Sequence, residues 1–457
     1  MLDAAEGFVP PDPPELPLAL AHVTEVGSRE RTRIVCVYGL SDQLEQADGV
    51  DQRLGIADLY PFGRFSPHVR GVAELLPNPV LSVREVDVEL PGGAQDLGPA
   101  RAILMVTPRG DAALVLDAEM TGDPDGQQVA RVLDVTCLKR GLLRLDGKTM
   151  IEWLRDQADA SGLPLPDSLA LGANVHQCVF PGGGLLADIR GGATYWRLVY
   201  RVAAPREPTE QAGTFRPPEL NYSGYVAVGH GRGVSVISGF ARPVENVYAL
   251  MVIMLVTGLG VLHRSRGRLF AAMTQAGAPV TASIAEARTE ISELSAQLNE
   301  LQLDLEFGVE SYLDGVLIPE AIVEAYQRSL CEAMGIRAGL EHSSRMLERL
   351  SAVIGGRRTA LDAAVQEQAE RRDRVFSGLL AVGTLLALPP TLLLAFFALG
   401  PDTRRTLFDP RLHWAAYLIA FLPFIALVAA GWLLRRRIRA SSSQLDVFEG
   451  ARSGRAR

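Results

Sequence analysis

Cysteine is scarce in this chain of 457 residues. The four present, Cys36, Cys137, Cys178 and Cys331, lie far apart with no Cys-x-x-Cys spacing. Neither a disulfide framework nor a zinc site is indicated, which suits a reducing cytoplasm. Excess positive charge is also missing: the net charge is −8 and the pI near 5.5. Without a basic footprint, nucleic acid is not an expected partner. The seven histidines are scattered, and no Ser/His/Asp or Cys/His set stands out. Pro181-Gly182-Gly183-Gly184 and Gly191-Gly192 lack the Gly-Lys-Ser/Thr ending of a phosphate loop and read as turns. The opening Met1-Leu2-Asp3-Ala4-Ala5-Glu6 lacks a basic n-region and an apolar h-region, so no signal peptide is expected there.

What the chain does have is apolar residues, 48% against 21% charged, with a mean hydropathy of +0.13. That excludes a disordered chain and is high for a purely soluble one. The length suits two or three domains of about 100–200 residues each. The apolar excess is concentrated beyond residue 245. No charge occurs between Arg374 and Asp402, and none from Leu412 to Leu434, where Trp414, Tyr417 and Trp432 lie near the ends. About 20 apolar residues cross a bilayer, and aromatic residues favour its interfaces. Two antiparallel transmembrane helices, 375–399 and 412–434, are therefore expected around a short external loop, 400–411. Arg371, Arg372 and Arg374 precede the first and Arg435, Arg436, Arg437 and Arg439 follow the second. The positive-inside rule then puts the N-terminal part and the basic tail, 435–457, in the cytoplasm of a cell-membrane protein. A third apolar run, 246–262, is at the lower length limit and is expected to be a buried or subunit-contact helix.

The rest reads as a mixed α/β domain over 31–240 behind a Pro-rich arm, 1–30. Strands are expected at Arg33–Tyr38, Glu85–Leu90 and Tyr195–Tyr200, and helices at Gln127–Leu143 and Thr149–Ala160. Hairpins are expected around Pro108–Asp111 and around Gly229-His230-Gly231-Arg232-Gly233. From Ile284 through Ala287, Ile291, Leu294, Leu298, Leu301 and Leu305 apolar residues alternate at three and four, a heptad seam. Gly308, Gly315 and Pro319 interrupt it, which predicts a helical hairpin. A long stalk helix then leads into the first span, extending about 60 Å from Ile336 at 1.5 Å per residue.

This order, together with Pro389-Pro390-Thr391-Leu392-Leu393, Phe397-Ala398-Leu399-Gly400 and His413-Trp414, resembles the CorA-type magnesium transporter family. The likeness is closest over 375–434, a matter of pattern over 281–374, and one of architecture over 31–240. It implies a pentamer whose first spans line an axial pore. Where the family has Gly-Met-Asn, this chain has Ala398-Leu399-Gly400, which offers no side-chain amide to a hydrated cation. The linker carries Arg404, Arg405 and Arg411 against Asp402 and Asp409, whereas a cation mouth should be acidic. Ser377, Thr384 and Thr391 recur every seven residues and would stack hydroxyl rings around the axis; alternatively they bond their own backbone or help helices pack. Gly378 and Gly383 read as close-packing points. Glu293, Glu300, Asp304, Glu306 and Glu310 read as a solvated coiled-coil face, although the resemblance would make them a regulatory cation site. The expected function is passive transport of a divalent cation such as magnesium through a homo-oligomer in the bilayer. The alternative is a transport-incompetent, membrane-anchored sensor or scaffold with an unknown soluble partner. No enzymatic activity and no resident cofactor are expected.

Overall fold

The computed structural model describes residues 31–44, 60–69, 83–92, 96–106, 110–161, 165–190, 193–201, 219–223, 226–277, 283–310, 318, 320–398, and single positions between 414 and 432. Eight strands form one mixed sheet: β1 (Arg33–Leu40), β2 (Arg84–Val86), β4 (Leu97–Val106), β5 (Ala112–Met120), β8 (Leu171–Phe180), β9 (Glu219–Ser223), β10 (Val226–His230) and β11 (Val234–Ser238). Their order is β2-β4-β5-β1-β8-β11-β10-β9, and β3 (Val88–Glu89), β6 (Arg144–Leu145) and β7 (Lys148–Thr149) make a small second sheet. All pairings are antiparallel except β11 with β8. Strand β1 sits centrally, with Val35 opposite Asp117 on one side and Cys178 on the other.

Every residue of β1 is buried, as a strand covered on both faces requires. Its alternation divides the core. Ile34, Cys36 and Tyr38 face a cluster with Val129 and Leu133 of α1 (Gly126–Leu138), Trp153 of α2 (Met150–Ser161), Leu185 of α3 (Gly183–Arg190) and Leu198 of α4 (Ala193–Val199). Val35 and Val37 face α5 (Arg242–Gly277), with Val247 through Val256 all buried there. Helix α5 is long and apolar enough to cross a membrane by composition, and 94% of its most apolar stretch is buried inside the protein. The cause is that its other side is covered too, by Leu305, Val309, Val323, Tyr326 and Leu330. A helix packed on all sides has no polar face to keep.

Helix α6 (Ile284–Leu305) ends in a π-helical turn at Glu306–Glu310, and α7 (Ala321–Met334) follows. Gly335 closes α7 in a left-handed conformation, φ 73°, and α8 (Ile336–Ala398) starts at the next residue. The heptad seam is real: Leu294 and Leu301 pack with Leu269 and Ala272 of α5 and with Leu350 and Ile354 of α8. The chain divides into two compact units, residues 1–281 with 289–355 and residues 282–288 with 356–457. All the packing just described lies in the first.

Two expected strands are corrected. Tyr195–Tyr200 is not a strand but most of α4, where Tyr195, Leu198 and Val199 are buried at helical spacing. The aromatic and β-branched residues there favour strands only weakly, and packing against α1 and α3 overrides them. The run Glu85–Leu90 is broken between the two sheets. Asp87 is the crossing point, its N–H donating to the Asp146 carboxylate at 2.9 Å while the Asp146 N–H donates to the Asp87 carbonyl. The expected helix Gln127–Leu143 stops at Leu138 and continues as a 3-10 turn, Arg140–Leu142.

Helix α4 also explains the alternating glycines of the last hairpin. A Cβ on Gly229 would land on the Tyr195 ring, one on Gly231 on Val199, and one on Gly233 on the Arg201 guanidinium. The glycines leave room for the end of α4 and for Arg201 just after it. Replacing Gly229 with alanine should cost about 1–3 kcal/mol through overpacking, read as a lower denaturation midpoint.

Candidate functional site

Helix α8 changes character along its length. Through Arg374 it is charged, with Glu367–Arg371 and Glu370–Arg374 pairs at i, i+4. Between Val375 and Leu388 its described large apolar side chains are exposed: Phe376 is 63% accessible and Leu385 69%, with Leu379, Leu380, Val382 and Leu388 also open. Such a surface in water would be an interaction or membrane site. Farther on, Trp414, Leu418, Leu422, Ile425 and Trp432 are helical and exposed too.

All three hydroxyl residues lie on α8, exposed. Ser377 Oγ donates to the Arg374 carbonyl at 3.1 Å. Thr384 Oγ1 reaches the Leu380 and Ala381 carbonyls at 2.8 and 3.0 Å, and Thr391 Oγ1 those of Ala387 and Leu388, both at 2.9 Å. Each hydroxyl proton is thus held by the helix, and the oxygen lone pairs remain as acceptors. Ala398 is the last residue of α8; Leu399 and Gly400 lie outside the described residues. Gly378 and Gly383 have open space where a Cβ would be.

Of the acidic set on and after α6, Glu300 and Asp304 are engaged by Arg268 of α5 at 3.2 and 3.5 Å. Gln302 donates to Glu306 at 2.9 Å. Among the described residues, no three His, Cys, Asp or Glu side chains converge as metal ligands do. Among the glycine-rich segments, Gly182 and Gly184 N–H donate to Thr32 Oγ1 and Asp123 Oδ1 at the start of α3, a turn held by side-chain acceptors.

Two buried polar clusters escaped the sequence reading. In the first, Arg33 at the start of β1 is fully buried and makes a two-pronged pair with Asp117 of β5, at 2.7 and 2.9 Å. Arg101 of β4 adds a bond to Asp117 at 2.8 Å, Arg242 of α5 stands 3.8 Å away, and Glu245 approaches Arg33 at 3.3 Å. The Arg33 guanidinium also lies over the Tyr60 and Phe180 rings. Burial alone would raise the Asp117 carboxyl, but the arginines, Arg33 foremost, more than offset it and hold it below its ordinary value. A charged residue within Leu114-Val115-Leu116-Asp117-Ala118 was the available signal, since a charge in a buried strand needs a partner.

The second cluster joins the sheet to α7. His176 of β8 lies between the Arg232 carbonyl, 3.2 Å from Nδ1, and Ser235 Oγ, 2.8 Å from Nε2. Ser235 Oγ is 2.7 Å from the Tyr326 hydroxyl of α7. His230 Nε2 is 2.8 Å from Ser329 Oγ, one turn along α7, and its ring meets Tyr326 edge-on. Burial pushes His176 down to about 3 and His230 to about 4, so both rings are neutral at pH 7. The Arg232 carbonyl can only accept, so Nδ1 carries the His176 proton. The relay then runs one way: Tyr326 donates to Ser235, Ser235 to His176, and His176 to Arg232. Its members are far apart in sequence, which left no local signal.

These clusters supply no nucleophile open to solvent and no convergent metal ligands, so the exposed, apolar, hydroxyl-bearing part of α8 is the candidate functional element. Comparison with known proteins finds no matching family model, no matching curated protein and no matching solved structure.

Proposed function

We propose that this chain is a membrane-anchored ion pathway: several copies assemble in the bilayer, and a divalent cation passes down the axis along Ser377, Thr384 and Thr391. The observation that carries this is the run of exposed apolar side chains on α8 that also bears the three hydroxyls. The hydroxyls bond their own helix, as the packing alternative expects, and that bonding is compatible with the pathway without being evidence for it. Their oxygen lone pairs remain as acceptors. A hydrated cation presents water hydrogens, and acceptors suit it where donors would suit an anion. Ala398, Leu399 and Gly400 form an altered mouth without an amide ring. The exposed apolar side chains of 375–388 support placement in lipid, with the α/β body and the basic tail on the cytoplasmic side of the cell membrane. A chain with two spans needs copies of itself to enclose a path; a CorA-like pentamer is the assembly expected.

A second reading, a membrane-anchored sensor or scaffold without transport, is favoured by the basic linker with Arg404, Arg405 and Arg411. The separating experiment is metal entry into liposomes holding the purified protein and a magnesium-sensitive dye, with cobalt, nickel and zinc as alternatives. Dose-dependent entry is the expected result. No entry for any metal, from folded and oligomeric protein, overturns the transport reading in favour of the scaffold.

A further inference from the structure

We propose that the hydrogen-bonded relay between the sheet and α7 is an acid-releasable clasp, which frees α7 from the sheet as pH falls while the strands around Arg33 stay closed. Helix α7 could have been held by apolar contacts alone, and its own Val323 and Leu330 are buried in the apolar core. Instead the Tyr326 hydroxyl bonds Ser235 Oγ, which in turn bonds His176, and Ser329 Oγ bonds His230.

Among the described residues, the following polar and titratable groups act on the clasp. His176 faces His230 on β10, Arg201 after α4, Ser235 on β11 and Tyr326 on α7. Tyr326 adjoins Cys178 of β8 and Tyr248 of α5, and Tyr248 in turn senses Glu320. Arg201 and His230 both oppose a positive charge on His176. Among the described residues no carboxylate acts on either ring. Protonating His176 Nε2 would also turn an acceptor into a donor. Ser235 would lose the acceptor for its proton, and the relay would fail at its middle.

The sign follows from linkage. Both histidines bind protons more weakly in the closed state than in an open one, where their ordinary value is near 6.5. The stability they contribute is complete above that value and falls as pH drops toward 4. Opening takes up two protons, so the open population rises up to about 100-fold per pH unit across that window. Arg33–Asp117 responds only below the ordinary carboxylate range, because the Asp117 carboxyl is held lower still. The order of release is α7 first, then the sheet. Because α7 joins α8 through Gly335 alone, its release loosens the segment that enters α8. This inference stands whether or not the pathway conducts.

The test is hydrogen exchange by mass spectrometry on the full chain in lipid nanodiscs from pH 7 to 4.5, corrected for intrinsic exchange. Peptides from 321–334 should lose protection with a slope near two in log units per pH unit, while peptides from 33–40 and 112–120 keep theirs. His230→Gln should reduce the slope to about one. Flat protection of 321–334 over this range would overturn the clasp, as would loss in step with the β1 and β5 peptides. A slope of two that persists in folded His230→Gln would remove His230 from it. Should that variant fail to fold, the wild-type slope and its restriction to α7 still decide the matter.

Discussion

Asp117→Ala destabilises the α/β body by about 3–5 kcal/mol, the scale for breaking a buried ion pair by removing one partner. The cost falls on Arg33. Arg101 and Arg242 are about one-third exposed and can turn toward water, but Arg33 has no exposure and keeps, besides the Tyr60 and Phe180 rings, Glu245 at 3.3 Å. An uncompensated guanidinium inside a sheet is among the most expensive defects available. For a domain of ordinary stability this is a large share of the total. Urea unfolding followed by tryptophan fluorescence, with Trp153 in the core as reporter, reads it as a lower midpoint. Asp117→Asn keeps the hydrogen-bond acceptor but loses the charge, and its midpoint should fall between the two. Equal midpoints for wild type and Asp117→Ala would show that the cluster is not what holds β1, β5 and α5 together. The pH dependence has a definite sign: the carboxyl is held low, so the contribution is full above its ordinary value near 3.8 and is lost below it.

If the proposed pathway conducts, Thr391→Leu should cut metal entry into liposomes by at least about tenfold, the factor for one lost 1.4 kcal/mol interaction with a passing ion. The Thr391 oxygen is already anchored by two carbonyls of its own helix at 2.9 Å, so its lone pairs are directed by the helix rather than by chance. Leucine replaces that acceptor with methyl groups, which on the proposed reading would narrow the path and remove a partner for the ion's water shell. Leucine is a better helix former than threonine, so α8 itself is not weakened, and assembly checked by size-exclusion chromatography should be unchanged. Thr391→Ser, which keeps the oxygen, should restore most of the flux. Unchanged flux in Thr391→Leu would remove this residue from the pathway, and the same comparison at Thr384 and Ser377 would locate the path along the helix.

Much of the secondary structure could be read locally. The strand at Arg33, the hairpin around Gly110, the seam from Ile284 to Leu305 and the helix from Ile336 through Ala398 are all in place. Each depends on spacing along a single segment, which a sequence displays directly. The composition also explains why residues 246–262 look like a membrane span: a helix enclosed by a sheet and by other helices needs the same uniform apolarity as one enclosed by lipid.

Where reading failed, the deciding partner was remote. Tyr195 to Val199 are helical because they pack against α1 and α3, and three glycines some thirty residues later leave room for the Tyr195 ring, Val199 and Arg201. The run at Glu85 divides because Asp87 meets Asp146 across the fold. Arg33 finds Asp117 and Glu245, and His176 finds Ser235 and Tyr326, across separations that no local period records. The sequence by itself determined which segments could be helix or strand and which stretch of surface would be apolar, because those follow from side-chain periodicity and transfer from water. Only the tertiary structure decided which polar groups are buried together, because a buried charge or imidazole is tolerated through a partner whose position the fold alone supplies.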